Sequence, residues 1–259
     1  MKNKKDIQNE IDERKIPINK VGIKDVKYPI IVEDMANKTQ NTIADLDIFV
    51  NLPHQHRGTH MSRFIEILHQ YHKDNLINKL PQFLLEVKNR LNSESAFIDI
   101  KFPYFIDKVA PVSKISSIMS YDCFFHASYK DDYKLIIGIK VPITTLCPCS
   151  KEISEYGAHN QRSIVTVEFS YDEFIWMEEV INIVESQASC EVYSLLKRPD
   201  EKYVTEKAYD NPKFVEDIVR DVTLKLKEDK RINWFRVQSE NFESIHNHSA
   251  YACVEFSKE

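Results

Sequence analysis

A pattern of alternating strands and amphipathic helices occurs twice along the chain, and it limits the folds that the chain can adopt. In the first half, its strands and helices run, in order, through TIADLDIFVNLP, SRFIEILHQYHK, PQFLLEVKNRL, AFIDIKF, IMSYDCFFHASY and KLIIGIKVPI. The strands alternate apolar and polar residues, whereas the helices place apolar residues three and four positions apart. Strand pairs beside helices predict antiparallel sheets with helices packed on one face, an α+β architecture.

The second half repeats this order with SIVTVEFS, two helices and the closing strands WFRVQSE and AYACVEF. The apolar stripes of its helices are Met177, Val180, Ile181, Val184 and Ala188, then Val215, Ile218, Val219, Val222 and Leu226. The second helix is predicted to begin with Asn211 as N-cap and Pro212 at its first position. We therefore expect a partly extended arm over 1–40, a first module over 41–145 and a second module over 146–259.

Composition narrows the classes of function. The chain has only four glycines, with no GxGxxG or P-loop, which argues against a dinucleotide site or an ordinary NTPase. Its net charge of −5 does not favour nucleic-acid binding. No apolar run approaches the ~18 residues of a membrane span. The start, MKNKKDIQNEIDERK, lacks the apolar core of a signal peptide, so a cytoplasmic protein is expected.

The segment TTLCPCSKEISEYGAHNQRS has the residue types of a metal site. Cys147 and Cys149 flank Pro148, which is expected to end the preceding strand, and His159 follows twelve residues after Cys147. A thiolate and an imidazole suit Zn²⁺ or a similar ion. A CxC pair with a distant histidine is nevertheless a weak signal. The alternative is two small buried residues beside a loop histidine.

Three later stretches hold further candidates, each with a simpler structural explanation. Glu201 lies in RPDEKYVTEKAY, a run of charges that is most often solvated surface. His246 and His248 precede the last strand, where a hydrogen-bonded structural role is the commoner one. Glu216 lies in the first turn of a predicted helix, where an acid interacts favourably with the helix dipole.

Taken together, LCPCSKEISEYGAHNQRS, DEKYVTEKAYDNPKFVEDIVRD and ESIHNHSAYA resemble the type IB GTP cyclohydrolase I family. FVNLPHQHRGTHMSR and VGIKDVKYP are also similar to that family, so the resemblance runs from about residue 20 to the C-terminus. It implies tandem tunnelling-fold modules assembled into a barrel-like homo-oligomer, a homotetramer with sites at or near subunit interfaces. The implied reaction converts GTP and water to 7,8-dihydroneopterin triphosphate and formate, which begins folate synthesis.

The resemblance also implies roles for individual residues. Cys147, His159 and Glu201 match the ligands of one divalent metal per active site, which could be zinc, manganese or iron. Cys147 is thereby part of the catalytic set, and His246 matches a metal-proximal histidine suited to proton transfer. Glu216 matches the carboxylate that anchors guanine. By proximity to these motifs, the candidates for binding the triphosphate are Lys151, Arg162, Lys202 and Arg63.

Two other functions stay open at this point. One is a nitrile reductase of the same broad fold, with a cysteine nucleophile and NADPH, although its surrounding motif is absent from the sequence. The other is a binding module with structural zinc, which would need four protein ligands and no open coordination position. Formate release from GTP by a metal-loaded protein would distinguish the cyclohydrolase from both.

Overall fold

The structure, a computed structural model, describes residue 8 and residues 10–71 and 75–258. The chain forms two compact units: unit 1 comprises residues 1–102 and 124–136, and unit 2 comprises residues 103–123 and 137–259. The strands are β1 (Ile18–Asp34), β2 (Lys38–Leu52), β3 (Ala96–Val109), β4 (Ser116–Tyr129), β5 (Tyr133–Leu146), β6 (Asn160–Tyr171), β7 (Cys190–Glu191), β8 (Ile232–Asn241) and β9 (Ala250–Ser257). The helices are α1 (Met61–Gln70), α2 (Leu80–Arg90), α3 (Pro148–Ile153), α4 (Met177–Gln187), α5 (Arg198–Asp210) and α6 (Val215–Glu228).

Unit 1 is an antiparallel sheet with two helices. Its strands are ordered β1-β2-β3-β4-β5, and β1 and β2 form a long hairpin in which Ile23 pairs with Ile48 and Asp34 pairs with Lys38. The helices contribute Phe64, Ile67, Leu68, Leu80, Phe83, Leu84 and Val87 to the core. These side chains have the helical spacing seen in the sequence, so burial of one apolar face explains why both segments are helical.

Unit 2 has the same construction and holds most of the residues considered for function. Its strands are ordered β3-β4-β5-β6-β8-β9, and β7 pairs with β5. Helix α6 packs on β8 and β9, and α4 packs against α6. Both predicted apolar stripes, from Met177 to Ala188 and from Val215 to Leu226, are buried.

Several boundaries differ from those expected. Residues 18–34 of the predicted arm form β1, and residues 1–7 and 9 of the arm lie outside the described residues. The predicted module boundary at 145/146 is not where the units divide, because β3, β4 and β5 each contribute residues to both units. Asn211 is the C-cap of α5, and α6 begins at Val215 with Phe214 as its N-cap. The charge run RPDEKYVTEKAY lies within α5, where its side chains are mostly exposed and only Asp200 and Ala208 are buried.

None of the helices in the described part of the chain is both long enough and apolar enough to cross a membrane.

Candidate active site

The segment from Cys147 to His159 leaves the sheet and returns to the point where it left. Strand β5 ends at Leu146, and Pro148 opens α3, so the proline ends the strand as its fixed φ and missing N–H require. Strand β6 begins at Asn160, which pairs with Leu146 in the β5–β6 register. The Cys147 N–H donates to the His159 carbonyl at 3.1 Å. Cys147 and His159 are twelve residues apart in sequence. In the fold they are neighbours, joined by a backbone hydrogen bond where β5 ends and β6 begins.

Ser150 joins Cys147 and His159. Its N–H lies 3.4 Å from Cys147 Sγ, and its hydroxyl donates to the Cys147 carbonyl at 3.2 Å. The same hydroxyl oxygen accepts the His159 N–H at 3.2 Å. Cys149 occupies the next position of α3 but is exposed, whereas Cys147 is half-buried. The two cysteines therefore have different surroundings.

The imidazole of His159 is held from one side by a chain of buried polar groups. Its Nδ1 lies 3.1 Å from Gln161 Oε1, and Gln161 Nε2 donates to Thr145 Oγ1 at 2.9 Å. The Thr145 hydroxyl in turn lies 2.9 Å from Ser163 Oγ. Because the Gln161 amide uses its N–H on Thr145, its oxygen faces the ring and can only accept. His159 Nδ1 therefore carries the proton, and the Nε2 lone pair is left for a metal ion or a proton.

Leu146, the last residue of β5, connects this segment to α6. Its carbonyl accepts the Lys213 N–H at 3.0 Å, and its N–H donates to Ser189 Oγ at 3.1 Å. Lys213 lies two residues before α6, whose second residue is Glu216. The start of the helix that carries Glu216 is thus fixed to the residue preceding Cys147. The Glu216 side chain is exposed in the single chain.

Helix α5, which carries Glu201 in its first turn, is held at its C-terminal half by two lysines. Lys151 Nζ lies 2.5 Å from the Tyr209 carbonyl and 4.3 Å from the centre of the Tyr209 ring. Lys207 Nζ lies 2.7 Å from each carboxylate oxygen of Glu191. Burial, the largest single influence, would raise the pKa of Glu191, but the hydrogen bonds from Lys207, the Glu191 backbone and Cys190 and the charge of Lys207 together lower that pKa. The Glu201 side chain is exposed.

A cavity of about 330 Å³ lies between the start of β6 and α5 within unit 2. Its lining is Thr144, Asn160, Gln161, Arg162, Cys190, Glu191, Val192, Tyr193, Leu196, Val204, Thr205 and Ala208. It is thus bounded by the strand that follows His159 and by the helix that carries Glu201, and its size is at the small end for ligand pockets. Burial raises the pKa of the Cys190 thiol to about 11, so this cysteine stays protonated and is a poor metal ligand.

The two histidines before the last strand stack on one another. The rings of His246 and His248 are 5.1 Å apart between centroids and inclined by 18°. Both are exposed and lie in the β8–β9 connection. That connection begins beside β6, because the Phe242 N–H donates to the carbonyl of Arg162 in that strand at 3.0 Å.

The four cations considered for the triphosphate have different environments. Lys151 is engaged with α5, as described above, and Arg162 is exposed and lines the cavity. Lys202 is exposed and lies 3.7 Å from Glu206 of the next helical turn. Arg63 belongs to unit 1, where its guanidinium donates to the Arg90 carbonyl at 3.3 Å.

Thiolate, imidazole and carboxylate are ligands that Zn²⁺, Mn²⁺ and Fe²⁺ accept. The structure places Cys147 and His159 on neighbouring backbone positions, and the contact with Gln161 occupies His159 Nδ1 and leaves Nε2 for a ligand. Among residues 8, 10–71 and 75–258, no three His, Cys, Asp or Glu side chains are close enough together to hold an ion. Cys147 and His159 supply ligand types that suit a divalent ion, and a metal site completed by Glu201 stays a prediction.

Comparison with known proteins identifies the family. A profile described as "Type I GTP cyclohydrolase folE2" matches residues 5–252. The chain is 55% identical over 254 residues to GTP cyclohydrolase FolE2 of Geobacter sp. (strain M21), covering 98% of this chain and 95% of the relative. It is 55% identical over 251 residues to GTP cyclohydrolase FolE2 of Magnetococcus marinus, covering 96% and 95%. The chain belongs to the FolE2 family of type I GTP cyclohydrolases.

Solved structures similar to this FolE2 family member confirm the predicted fold class. Uricase from Arthrobacter globiformis matches with a TM-score of 0.55 at 6% identity, over 93% of this chain and 94% of the uricase. Urate oxidase from Bacillus subtilis 168 matches with a TM-score of 0.53 at 8% identity, over 92% and 98%. Both have the tunnelling fold, with helices packed on one face of an antiparallel sheet. Assembly into a barrel-like homo-oligomer stays a prediction.

The sequence did not predict the polar residues that support the site, namely Thr145, Ser150, Gln161 and Ser163. A signal for two of them was present. Gln161 and Ser163 share the inward face of β6 with Val165, Val167 and Phe169, so they are polar residues at buried positions of an alternating strand. Buried polar groups need partners, and this requirement marks them as part of a network.

Proposed function

We propose that this FolE2 family member is a type IB GTP cyclohydrolase I, a hydrolase acting on a cyclic amidine. It opens the imidazole ring of GTP at C8 and yields 7,8-dihydroneopterin triphosphate and formate, the first step of folate synthesis. The observation that carries this proposal is the 55% identity to GTP cyclohydrolase FolE2 proteins over 98% of the chain. The family match over residues 5–252 supports it.

Cys147, His159 and Glu201 would hold one divalent ion, zinc, manganese or iron. When bound, that ion supplies Lewis acidity, which activates water as a nucleophile near neutral pH. The hydrogen bond from His159 Nδ1 to Gln161 orients the ring and leaves Nε2 as the nitrogen available to the ion. Three protein ligands leave a coordination position open, as catalytic sites require.

Glu216 and His246 would act on the substrate. The Glu216 carboxylate accepts two hydrogen bonds, from N1–H and from the exocyclic amino group of guanine. Adenine does not offer this pair of donors, so the carboxylate selects guanine. His246 transfers a proton to the ring nitrogen that leaves C8, a role in which histidine is the side chain most often used. Arg162, Lys151, Lys202 and Arg63 stay candidates for the triphosphate.

We further propose that the enzyme works in the cytoplasm as a homotetramer whose sites are completed at or near subunit interfaces. Exposed apolar side chains in the segment between Cys147 and His159 support an interface there. Ile153 is 84% exposed and Tyr156 is 96% exposed in the single chain. Light scattering coupled to size-exclusion chromatography measures the assembly directly, and a monomer at working concentration would contradict it.

The test of function uses the full chain loaded separately with Zn²⁺, Mn²⁺ and Fe²⁺ and incubated with GTP. We expect formate release and pterin fluorescence. Cys147→Ala should abolish both and strongly reduce bound metal, because the thiolate ligand is lost. Cys149→Ala is the matched control and should retain most of the metal, since Cys149 is exposed and has a different environment.

Four outcomes would contradict this account. Absence of formate with all three metals would refute the cyclohydrolase, and NADPH consumption without GTP turnover would favour the nitrile reductase. Equal metal loss from Cys147→Ala and Cys149→Ala would show that the two cysteines have the same role. Four protein ligands with no exchangeable water would favour structural zinc.

A further inference from the structure

Asp200 is a buried carboxylate that none of the proposed steps uses. It lies in the first turn of α5, immediately before Glu201, and has no solvent-exposed surface. Buried carboxylates are stable only when their oxygens are hydrogen-bonded or paired with a cation. The partners of this one therefore show what it does.

Four donors converge on Asp200. Oδ1 accepts the N–H groups of Val112 and Ser113, each at 2.8 Å. Oδ2 accepts the Ser113 hydroxyl at 2.6 Å and the Lys197 N–H at 2.8 Å. Burial alone would raise the pKa of Asp200, but the hydrogen bonds from Ser113, Lys197 and Val112 outweigh burial and hold that pKa below its usual value. The carboxylate is thus fully satisfied by protein donors.

These donors come from two separate places. Lys197 is the N-cap of α5, so one bond closes the first turn of the helix itself. Val112 and Ser113 lie in the turn between β3 and β4, which is closed by a 2.9 Å bond from the Ala110 N–H to the Ile115 carbonyl. Asp200 therefore joins the start of α5 to the hydrogen-bonded turn between β3 and β4.

Glu201 shares this anchorage through the backbone. Its N–H donates to the Lys197 carbonyl at 2.9 Å, in the same helical turn that Asp200 closes. Glu201 is otherwise exposed, so its position is set by where the helix begins.

The corresponding acid of α6 does not have this role. Asp217 occupies the same helical position and accepts the N–H of its own N-cap residue, Phe214, at 3.0 Å. Its other described contact is to Arg220, one turn along the same helix, at 3.8 Å. Ordinary helix capping therefore needs only the local bond, and the bonds from Asp200 to the β3–β4 turn are additional.

We propose that Asp200 is a positioning residue that holds Glu201 where it can complete the metal site. This inference rests on the proposed function, because it takes Glu201 as a metal ligand. Residues that orient metal ligands typically cost about 10–100-fold in metal affinity when they are replaced.

The experiment measures dissociation constants for Zn²⁺ and Mn²⁺ on the full-length protein, by competition with a chromophoric chelator, alongside the Tm of the metal-free protein. Asp200→Asn keeps the size of the side chain but turns an N–H donor toward the Lys197 N–H or the Ser113 hydroxyl. We expect metal affinity to fall about 10–100-fold. Asp217→Asn, which removes only a local cap, is the matched control and should lower Tm without changing metal affinity.

A second variant covers the case in which Asp200→Asn does not fold. Ser113→Ala removes one donor from the same carboxylate and leaves Asp200 in place, so we expect a folded protein with a smaller loss of metal affinity. Unchanged metal affinity in Ser113→Ala and in any folded Asp200→Asn, with only a lower Tm, would overturn the inference and leave Asp200 with a purely structural role.

Glu201→Gln separates failure of this inference from failure of the proposed function. If Glu201→Gln loses the metal while Asp200→Asn and Ser113→Ala bind it like the wild type, only the positioning role is wrong. If Glu201→Gln binds metal normally, or the wild type binds none, the ligand set is wrong and the positioning role is overturned with it.

Discussion

The hydrogen bond between Gln161 and His159 gives the sharpest test of how this chain prepares a metal ligand. Gln161→Leu replaces the amide by an apolar group of similar size. Two contacts are lost, the 3.1 Å contact to His159 Nδ1 and the 2.9 Å bond to Thr145. Thr145 keeps Ser163 as a partner at 2.9 Å. His159 Nδ1 is the group left without its acceptor, so the effect should fall on the imidazole.

The expected magnitude follows from that geometry. Loss of the partner of a metal-binding histidine typically weakens metal affinity about 10–100-fold. At about 1.4 kcal/mol per tenfold change, this corresponds to about 1.4–2.8 kcal/mol of binding free energy. The free energy of unfolding should also fall, by about 1 kcal/mol for a lost hydrogen bond, since His159 is only half-buried and water can replace part of the contact.

Metal affinity is measured by chelator competition at a temperature where both proteins are folded. Gln161→Glu is the matched variant, because a carboxylate keeps the acceptor for Nδ1–H, and it should retain more affinity than Gln161→Leu. Nitrogen NMR of the metal-free wild type should show the His159 tautomer protonated at Nδ1. Wild-type affinity in Gln161→Leu, or protonation at Nε2 in the wild type, would show that Gln161 does not prepare His159 for a metal.

Three further predictions follow from the site and from unit 1. Glu216→Gln should weaken GTP binding by about 2–5 kcal/mol with metal content unchanged, because a charged hydrogen-bonded pair covered by the ligand is broken; normal GTP titration calorimetry would contradict this. His246→Ala should lower turnover about 10²-fold or more without loss of metal, whereas His248→Ala should stay active; the reverse result would move the proton-transfer role to His248. Burial, the largest single influence, would raise the pKa of Asp99, but the 2.6 Å hydrogen bond with His126 and the charges of His126, Lys20 and Lys101 together lower that pKa. Asp99 therefore stabilises the folded state above its unfolded pKa of ~3.9 and loses this effect as pH falls through its lower folded pKa, so the Tm difference between wild type and Asp99→Asn should shrink on acidification; a difference that grows toward low pH would contradict the sign.

Periodicity predicted the elements whose stability comes from burying one apolar face. The α4 and α6 stripes are buried as expected, and Pro148 ends β5 as its chemistry requires. Helix α5 could not be found in this way, because Asp200 and Ala208 are its only buried residues. It is held by contacts to other segments, such as the Lys207–Glu191 pair, and such contacts leave no helical stripe in the sequence.

Strand β1 was missed for a different reason. Its register shifts twice, between Ile18 and Val21 and between Ile23 and Val26, and Asp25 has a φ of 59°. Each irregularity changes which residues face the core, so the two-residue alternation that identifies strands does not persist. The N-terminal half of β1 is also largely exposed, which removes the apolar signal altogether.

Only part of the candidate site could be predicted, because the sequence shows residue types but not which residues the fold brings together. The residue types of Cys147 and His159 indicated metal chemistry, but only the β5–β6 register makes them neighbours. Asp200 resembles a surface residue in the sequence, because its importance lies in partners that are far away along the chain. It is joined to residues 112 and 113 by folding alone.

The passage of β3, β4 and β5 through both units has a consequence for how this protein can be dissected. The chain crosses between the units after residues 102, 123 and 136, so no single cut separates one unit from the other. A gene fragment starting at residue 146 encodes Cys147 and His159 but lacks residues 103–123, which include the turn that anchors Asp200. Exchanging one half of the chain for that of a relative would therefore separate the site residues from the segments that position them. Circular permutation at the β1–β2 turn would leave all three passages of the chain between the units unchanged.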